Sequence, residues 1–287
     1  GIRTGASMGG DQGLASHDIN PDAGDGHGGR KQVPAPAIPH AGLSRCCRVS
    51  AAPVLPIRTR FLVPVHFSVK KEKCVYHMKI IAALADPSHA AMAQEQGADM
   101  AELRLDLFSG NLTDHARRCR EQVTVPLIAT LRSAPEGGSF FGTADEWMER
   151  IFPVLPYVDY VDIEQRYSAN APAVRAAGRQ IIASCHEGRM LPLAELFQLE
   201  RNLRAYGDIP KIIVTPQDGD DLVDLISFTC AVNKPVCTGV MGSQFRYARA
   251  FLAFFGSEFV YCHTGTPTAE GQYSVAEFVQ LRQLLRG

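Results

Sequence analysis

Glu102-Leu103-Arg104-Leu105-Asp106 places three charges on alternate residues of a short run. Successive side chains of a β-strand point to opposite faces, so the three charges share one face and the two leucines take the other. In isolation such a stretch reads as an edge strand with a solvated face. The residues before it point elsewhere: an apolar run at 78–84, a helical stretch through 90–96, and Gly97-Ala98-Asp99 turning the chain into the charged strand. This is a βαβ unit, whose parallel strands are normally covered by helices. Charges on such a strand are expected to point inward, where they are costly unless a polar site uses them.

The same alternation continues to the end of the chain. Strands are predicted at 78–84, 100–106, 126–132, 158–164, 180–186, 210–215, 235–241 and 258–263. Helices are predicted at 88–97, 112–121, 144–156, 171–178, 192–205, 218–231, 245–255 and 274–286. Eight strand–helix pairs in about 210 residues match a small (β/α)8, or TIM, barrel. A doubly wound sheet is the alternative. It would normally carry a Gly-rich phosphate loop after its first strand, and Ala82-Ala83-Leu84-Ala85-Asp86-Pro87 is not one.

Composition divides the 287 residues at the same boundary. Residues 1–77 are rich in Gly and Pro, show no sustained apolar period, and hold 10 Lys+Arg against 5 Asp+Glu; residues 78–287 hold 19 against 25. The first segment reads as a weakly ordered basic extension, with the folded α/β domain expected to begin at Met78. A basic tail can meet nucleic acid or an anionic surface, or serve as a targeting segment. Asp18, Asp22 and Asp25 and the lack of an amphipathic helix argue against targeting, and the simplest account is an extension without function. No run approaches the roughly 18 apolar residues of a membrane span, and the start lacks the order of a signal peptide. Eight cysteines (Cys46, Cys47, Cys74, Cys119, Cys185, Cys230, Cys237 and Cys262) show no zinc-like spacing. Several sit inside apolar strands, which fits a reducing compartment and predicts a cytoplasmic protein with neither membrane nor nucleic-acid partner.

In a barrel the chemistry sits at the C-terminal ends of the strands. The residues predicted there are Glu102, Arg104 and Asp106, then Arg132, then Asp162 and Glu164, then His186, with Lys211 on strand six. An acid, a base and several cations converging is the pattern of a site. Residues 78–287 contain three lysines, Lys79, Lys211 and Lys234. Lys79 and Lys234 precede strands and fall at the far end of the barrel, whereas Lys211 can project inward. Bringing an amine from pKa ~10.4 towards ~7 takes roughly 4–5 kcal/mol, which desolvation beside other cations can supply. Such a lysine forms Schiff bases with ketones. A lysine at a strand start that snorkels to solvent is the competing reading, since Thr215 lies nearer the active end. His186 is either a core histidine satisfied by backbone or a proton shuttle facing a Schiff base, with Glu136 on the neighbouring loop able to orient it.

These residues together resemble the type I 3-dehydroquinate dehydratases, the Schiff-base enzymes of the shikimate pathway. The resemblance runs from Met78 to Gly287 on five features: Glu102-Leu-Arg104-Leu-Asp106; Thr130-Leu-Arg132 with Glu136-Gly-Gly; Ser184-Cys-His186; Pro210-Lys211-Ile; and Phe254-Phe-Gly256-Ser257 with Thr268-Ala-Glu-Gly271-Gln272. It implies that Lys211 forms an imine with 3-dehydroquinate, and that His186, tuned by Glu136, moves the proton and helps the hydroxyl leave as water, giving 3-dehydroshikimate. It implies that Arg249 pairs with the substrate carboxylate and that Glu102, Arg104, Arg132, Thr268 and Gln272 hold the ring substituents. It implies neither metal nor organic cofactor, and it suggests a homodimer through the last helices.

The chain departs from the family pattern at four positions. Phe245 and Ala248 replace a glycine and a hydroxyl residue, which leaves Arg246 as a competitor of Arg249. Glu270 replaces a proline and is expected to loosen the lid loop. Ala83 replaces a serine. Two other readings stand beside the resemblance. One is a Schiff-base aldolase acting on phosphorylated sugars, with Gly239-Val-Met-Gly242 and His263-Thr-Gly265 as anion donors; the other is a barrel that binds a metabolite without turning it over.

Overall fold

The computed structural model describes residues 78–286, so the expected basic extension lies outside the described residues. Within them the chain alternates β1 (Lys79–Leu84), α1 (Ala90–Glu95), β2 (Met100–Arg104), α2 (Leu112–Gln122), β3 (Leu127–Thr130), α3 (Ala144–Ile151), β4 (Tyr160–Glu164) and α4 (Ala171–Ala176). It continues through β5 (Gln180–His186), α5 (Leu193–Arg204), β6 (Ile209–Val214), α6 (Gly219–Ala231), β7 (Cys237–Val240), α7 (Ala248–Phe254), β8 (Phe259–His263) and α8 (Val275–Arg286). All paired strands are parallel, and the hydrogen-bonded order is β7-β6-β5-β4-β3-β2-β1-β8. This is the expected (β/α)8 barrel, not a doubly wound sheet.

The seam between β7 and β8 is closed without a regular ladder. Glu258 N donates to Val236 O at 2.8 Å, and the buried Ser257 hydroxyl accepts from Thr238 N and donates to Thr238 O, both at 2.9 Å. A side chain here supplies the pairing that a strand backbone supplies elsewhere, which gives Ser257 a structural reason.

Several expected elements are shorter, for local reasons. The helix expected over 144–156 stops at Ile151, and Phe152–Tyr157 tightens into a 3-10 segment carrying Pro153 and Pro156, which cannot donate to a helical ladder. The helix expected from 88 begins as a 3-10 turn over Pro87–His89. The helix expected from 245 begins at Ala248, because Phe245, at 9% exposure, is drawn into the apolar cluster between barrel and outer helices with Leu222, Leu225 and Leu252.

The barrel interior is layered. Met100, Tyr160, Ile209 and Phe259 come from the four even-numbered strands, and Ile81, Ile128, Ile182 and Cys237 from the four odd-numbered ones; all eight belong to or pack on one interior cluster. Layers of four side chains from alternate strands are the usual filling of such a barrel. Two residues further along the even strands, side chains again point inward, and the apolar filling ends there.

Candidate active site

The third layer consists of Glu102 on β2, Asp162 on β4, Lys211 on β6 and Tyr261 on β8, each two residues beyond its apolar predecessor. Lys211 is buried, at 4% exposure, and its Nζ donates to Asp162 Oδ2 at 3.0 Å, lies 3.8 Å from Glu102 Oε1, and rests 4.0 Å from the centroid of the Tyr261 ring. Lys211 therefore does not snorkel to solvent. Its immediate charged neighbours are carboxylates rather than the cations expected from the sequence, and Arg132 stands behind Asp162.

Arg132, just beyond β3, is the hub of this carboxylate network. Its NH2 donates to Asp162 Oδ1 at 2.8 Å, and its NH1 reaches Glu164 Oε1 and Ser184 Oγ at 3.0 Å and Glu136 Oε2 at 3.3 Å. Burial alone would raise the pKa of Asp162; Arg132, Lys211 and the Ser184 hydroxyl outweigh it and hold the carboxyl below its ordinary value. Arg104 is clamped in a bidentate pair by Asp106, Nε to Oδ1 and NH2 to Oδ2, both at 2.8 Å. Asp106 also accepts from Ser139 N at 3.1 Å, so it ties the β2 end to the loop after β3.

That loop positions Glu136. A 3-10 turn over Ala134–Glu136 ends in the left-handed Gly137, and a Cβ on Gly138 would lie 2.2 Å from the Arg132 carbonyl oxygen. Only glycine lets the loop fold back on its own strand end, which accounts for the Glu136-Gly-Gly run. Glu136 Oε2 consequently meets both the backbone N–H of His186, at 3.1 Å, and its Nδ1, at 2.9 Å. Burial, then the positive field of Arg132, Lys211 and Arg104, lowers the imidazole pKa well below its ordinary value. The ring is neutral at neutral pH; when Glu136 is ionised it can accept a hydrogen bond from Nδ1–H, which leaves the Nε2 lone pair as a base. Burial, against the pull of Arg132, raises Glu136 to about 7.

The opposite wall is built by α7 and the loop before α8. Arg249 lines the same cavity as Lys211 and His186; its NH2 donates to the Glu270 carbonyl at 2.9 Å, and its buried Nε has no partner. Gln272 Oε1 accepts from Thr268 N at 2.8 Å and from Thr268 Oγ1 at 3.1 Å, which fixes the loop over the cavity. Arg246 lies outside the cavity lining, stacked 3.9 Å from the Tyr273 ring centroid.

The expected loosening by Glu270 is offset here. Its carboxylate accepts from Ser243 Oγ at 2.6 Å and so tethers the loop to the segment after β7. All nine residues predicted for the site thus line one cavity. Two further lining residues emerge only in three dimensions: Tyr261, which follows the same period of two from Phe259, and Met241, which gives no sequence signal beyond following β7. Asp162, an inward polar residue in the sequence, gains its role through its contact with Lys211.

An amine held between carboxylates inside a barrel, a neutral imidazole braced by a carboxylate, and an arginine with a vacant donor define a barrel lyase or aldolase of the imine-forming class. Comparison with known proteins narrows this. The model of the family described as type I 3-dehydroquinase matches residues 82–287, and the chain belongs to that family. It is 64% identical over 208 residues to the 3-dehydroquinate dehydratase of Methanoregula boonei, covering 72% of this chain and 100% of that one. It is 36% identical over 208 residues to that of Methanospirillum hungatei, covering 72% and 81%. The crystal structure of the 3-dehydroquinate dehydratase from Aquifex aeolicus superposes with a TM-score of 0.65 at 29% identity, covering 72% of this chain and 98% of that one. Family membership removes the aldolase and the non-catalytic barrel from consideration.

Proposed function

We propose that this chain dehydrates 3-dehydroquinate to 3-dehydroshikimate, as a lyase of the shikimate pathway working through a lysine Schiff base, with the residues gathered at the mouth of its barrel. The observation that carries the assignment of roles is the placement of the Lys211 amine and the His186–Glu136 pair in one cavity with Arg249.

The amine, once deprotonated, attacks the substrate ketone and, with loss of water, gives an imine. His186 removes a proton from the adjacent carbon, and the electron pair moves into an enamine. The returning pair then expels the hydroxyl β to the imine carbon, with His186 giving its proton to form water. Hydrolysis releases the product and restores Lys211. Arg249 holds the substrate carboxylate through its unpartnered donor. Glu102, Arg104, Arg132, Thr268 and Gln272 surround the ring substituents.

Borohydride added with 3-dehydroquinate should inactivate the protein and leave a mass adduct on Lys211. The Lys211→Ala variant should show neither adduct nor turnover, and retained activity in it would refute the assignment. His186→Ala should still be trapped while turning over roughly 100- to 10,000-fold more slowly.

The catalytic unit in this reading is 78–287, and the protein is a cytoplasmic homodimer. Support for the compartment is the set of free thiols among the described residues, including the exposed Cys230; no helix of the described residues is long and apolar enough to cross a membrane. Support for the dimer is an outward apolar stripe along and before α7.

A further inference from the structure

Of the four side chains in the third barrel layer, three are hydrogen-bonded: Thr130 Oγ1 donates to Glu102 at 2.8 Å, and Lys211 and Asp162 pair with each other. Tyr261 is the exception. Its hydroxyl is buried and has no partner in the described structure, so a hydrogen bond does not explain the residue. What the ring does touch is the reacting nitrogen, since Lys211 Nζ sits 4.0 Å from its centroid, well within the distance at which a cation is held by an aromatic face. Burial, then the negative field of Glu102, keeps the phenol protonated, and the ring is a neutral π surface throughout the working pH range.

We infer that the face of Tyr261 is a catalytic group, the surface against which the Lys211 nitrogen carries its positive charge as a protonated imine. The inference rests on Lys211 being the nucleophile. In that step the ketone oxygen leaves as water, the nitrogen keeps one proton, and the C=N–H cation replaces the ammonium over the same ring. Asp162 opposes that charge from one side and the ring quadrupole from another, on a lysine that is 4% exposed, where desolvation strengthens cation–π attraction. The imine thereby stays protonated, and so stays an electron sink, at a pH where it would otherwise lose its proton. The phenol oxygen plays no part in this, and its lack of a partner is consistent with the ring being the functional portion.

The test replaces Tyr261 with phenylalanine and then with mono-, di- and trifluorophenylalanine, which keep the shape of the ring and drain its face of electron density. The readout is the rate at which cyanoborohydride, in the presence of 3-dehydroquinate, fixes substrate on Lys211 as a function of pH. Tyr261→Phe, which keeps the ring over Lys211 and loses only the hydroxyl, supplies the reference rate and pH profile for the series. Across the fluorinated series trapping should fall by about 5- to 30-fold, and the alkaline limb should move to lower pH by about one unit. A merely structural ring would not respond to fluorine, so an unchanged rate and pH profile across the series would overturn the inference. Were Lys211 not the nucleophile, the native protein itself would yield no adduct on it, which is a different result.

Discussion

At the level of single residues, the site depends on which group carries the proton between Glu136 and His186. His186 can act as a base only if Nδ1 holds the hydrogen, and that requires Glu136 to be ionised so that Oε2 accepts it. The carboxyl is raised to about 7, whereas the imidazole titrates well below 6.5. As pH falls through 7, Glu136 therefore protonates first, offers a hydrogen to Nδ1 and moves the ring hydrogen to Nε2, which removes the base. Activity should be full above this pH and fall below it, with an acid limb in kcat near 7. Glu136→Gln should abolish that limb and lower kcat about 10- to 100-fold, the worth of one charge-assisted hydrogen bond. A limb that stayed in place in Glu136→Gln would assign it to another group. The pairing of Glu136 with His186 could be read from the sequence, because both flank strand ends that a barrel brings together. The direction of their titration could not, since it comes from burial and from the field of Arg132, whose guanidinium is itself held in place by Asp162 and Glu164, 30 and 32 residues away in sequence.

At the level of elements, the loops after β7 and before α8 are locked to each other. Gly271 takes φ 74°, and a Cβ there would fall 2.6 Å from the Gly242 carbonyl oxygen, while Ser243 reaches Glu270 across the same junction. The lid that carries Thr268 and Gln272 is positioned by this contact. Ser243→Ala should raise KM about fivefold with kcat nearly unchanged, as expected for one exposed hydrogen bond of about 1 kcal/mol. Gly271→Ala, with backbone strain added to the clash, should raise KM further; steady-state kinetics of the two variants checks the order. The tether is invisible in the sequence, where Glu270 reads only as a lost proline. Local rules succeed where the governing residues are neighbours, as with the Asn111 cap that starts α2 and the Thr143–Glu146 capping box that starts α3. They fail for Phe245, which the long-range packing of α6 and α7 removes from its expected helix.

At the level of the whole molecule, the barrel covers its strands completely but leaves one helix unfinished. Tyr247, Phe251, Phe254 and Phe255 follow one another at intervals of four, three and one residues and are 48%, 52%, 41% and 37% exposed. That spacing puts them on a single face, and four exposed aromatic side chains gathered on one face mark a candidate protein contact. The stripe runs along the same helix, α7, that presents Arg249 from its first turn, so a partner seated there would bear on the wall of the active site. We assign the proposed homodimer, expected through the last helices, to this stripe. Phe251→Asp with Phe254→Asp should convert a dimer into a monomer in sedimentation equilibrium, because two charges would have to be buried without partners. Both residues point away from the barrel, so the layered interior and Lys211 should remain intact and borohydride trapping should persist. Failure of the double variant to change mass, or a native protein that already sediments as a monomer, would leave the stripe without a self-association role. Loss of kcat/KM in step with dissociation would show that the Arg249 wall depends on the partner, whereas a fully active monomer would confine the catalytic requirement to one barrel.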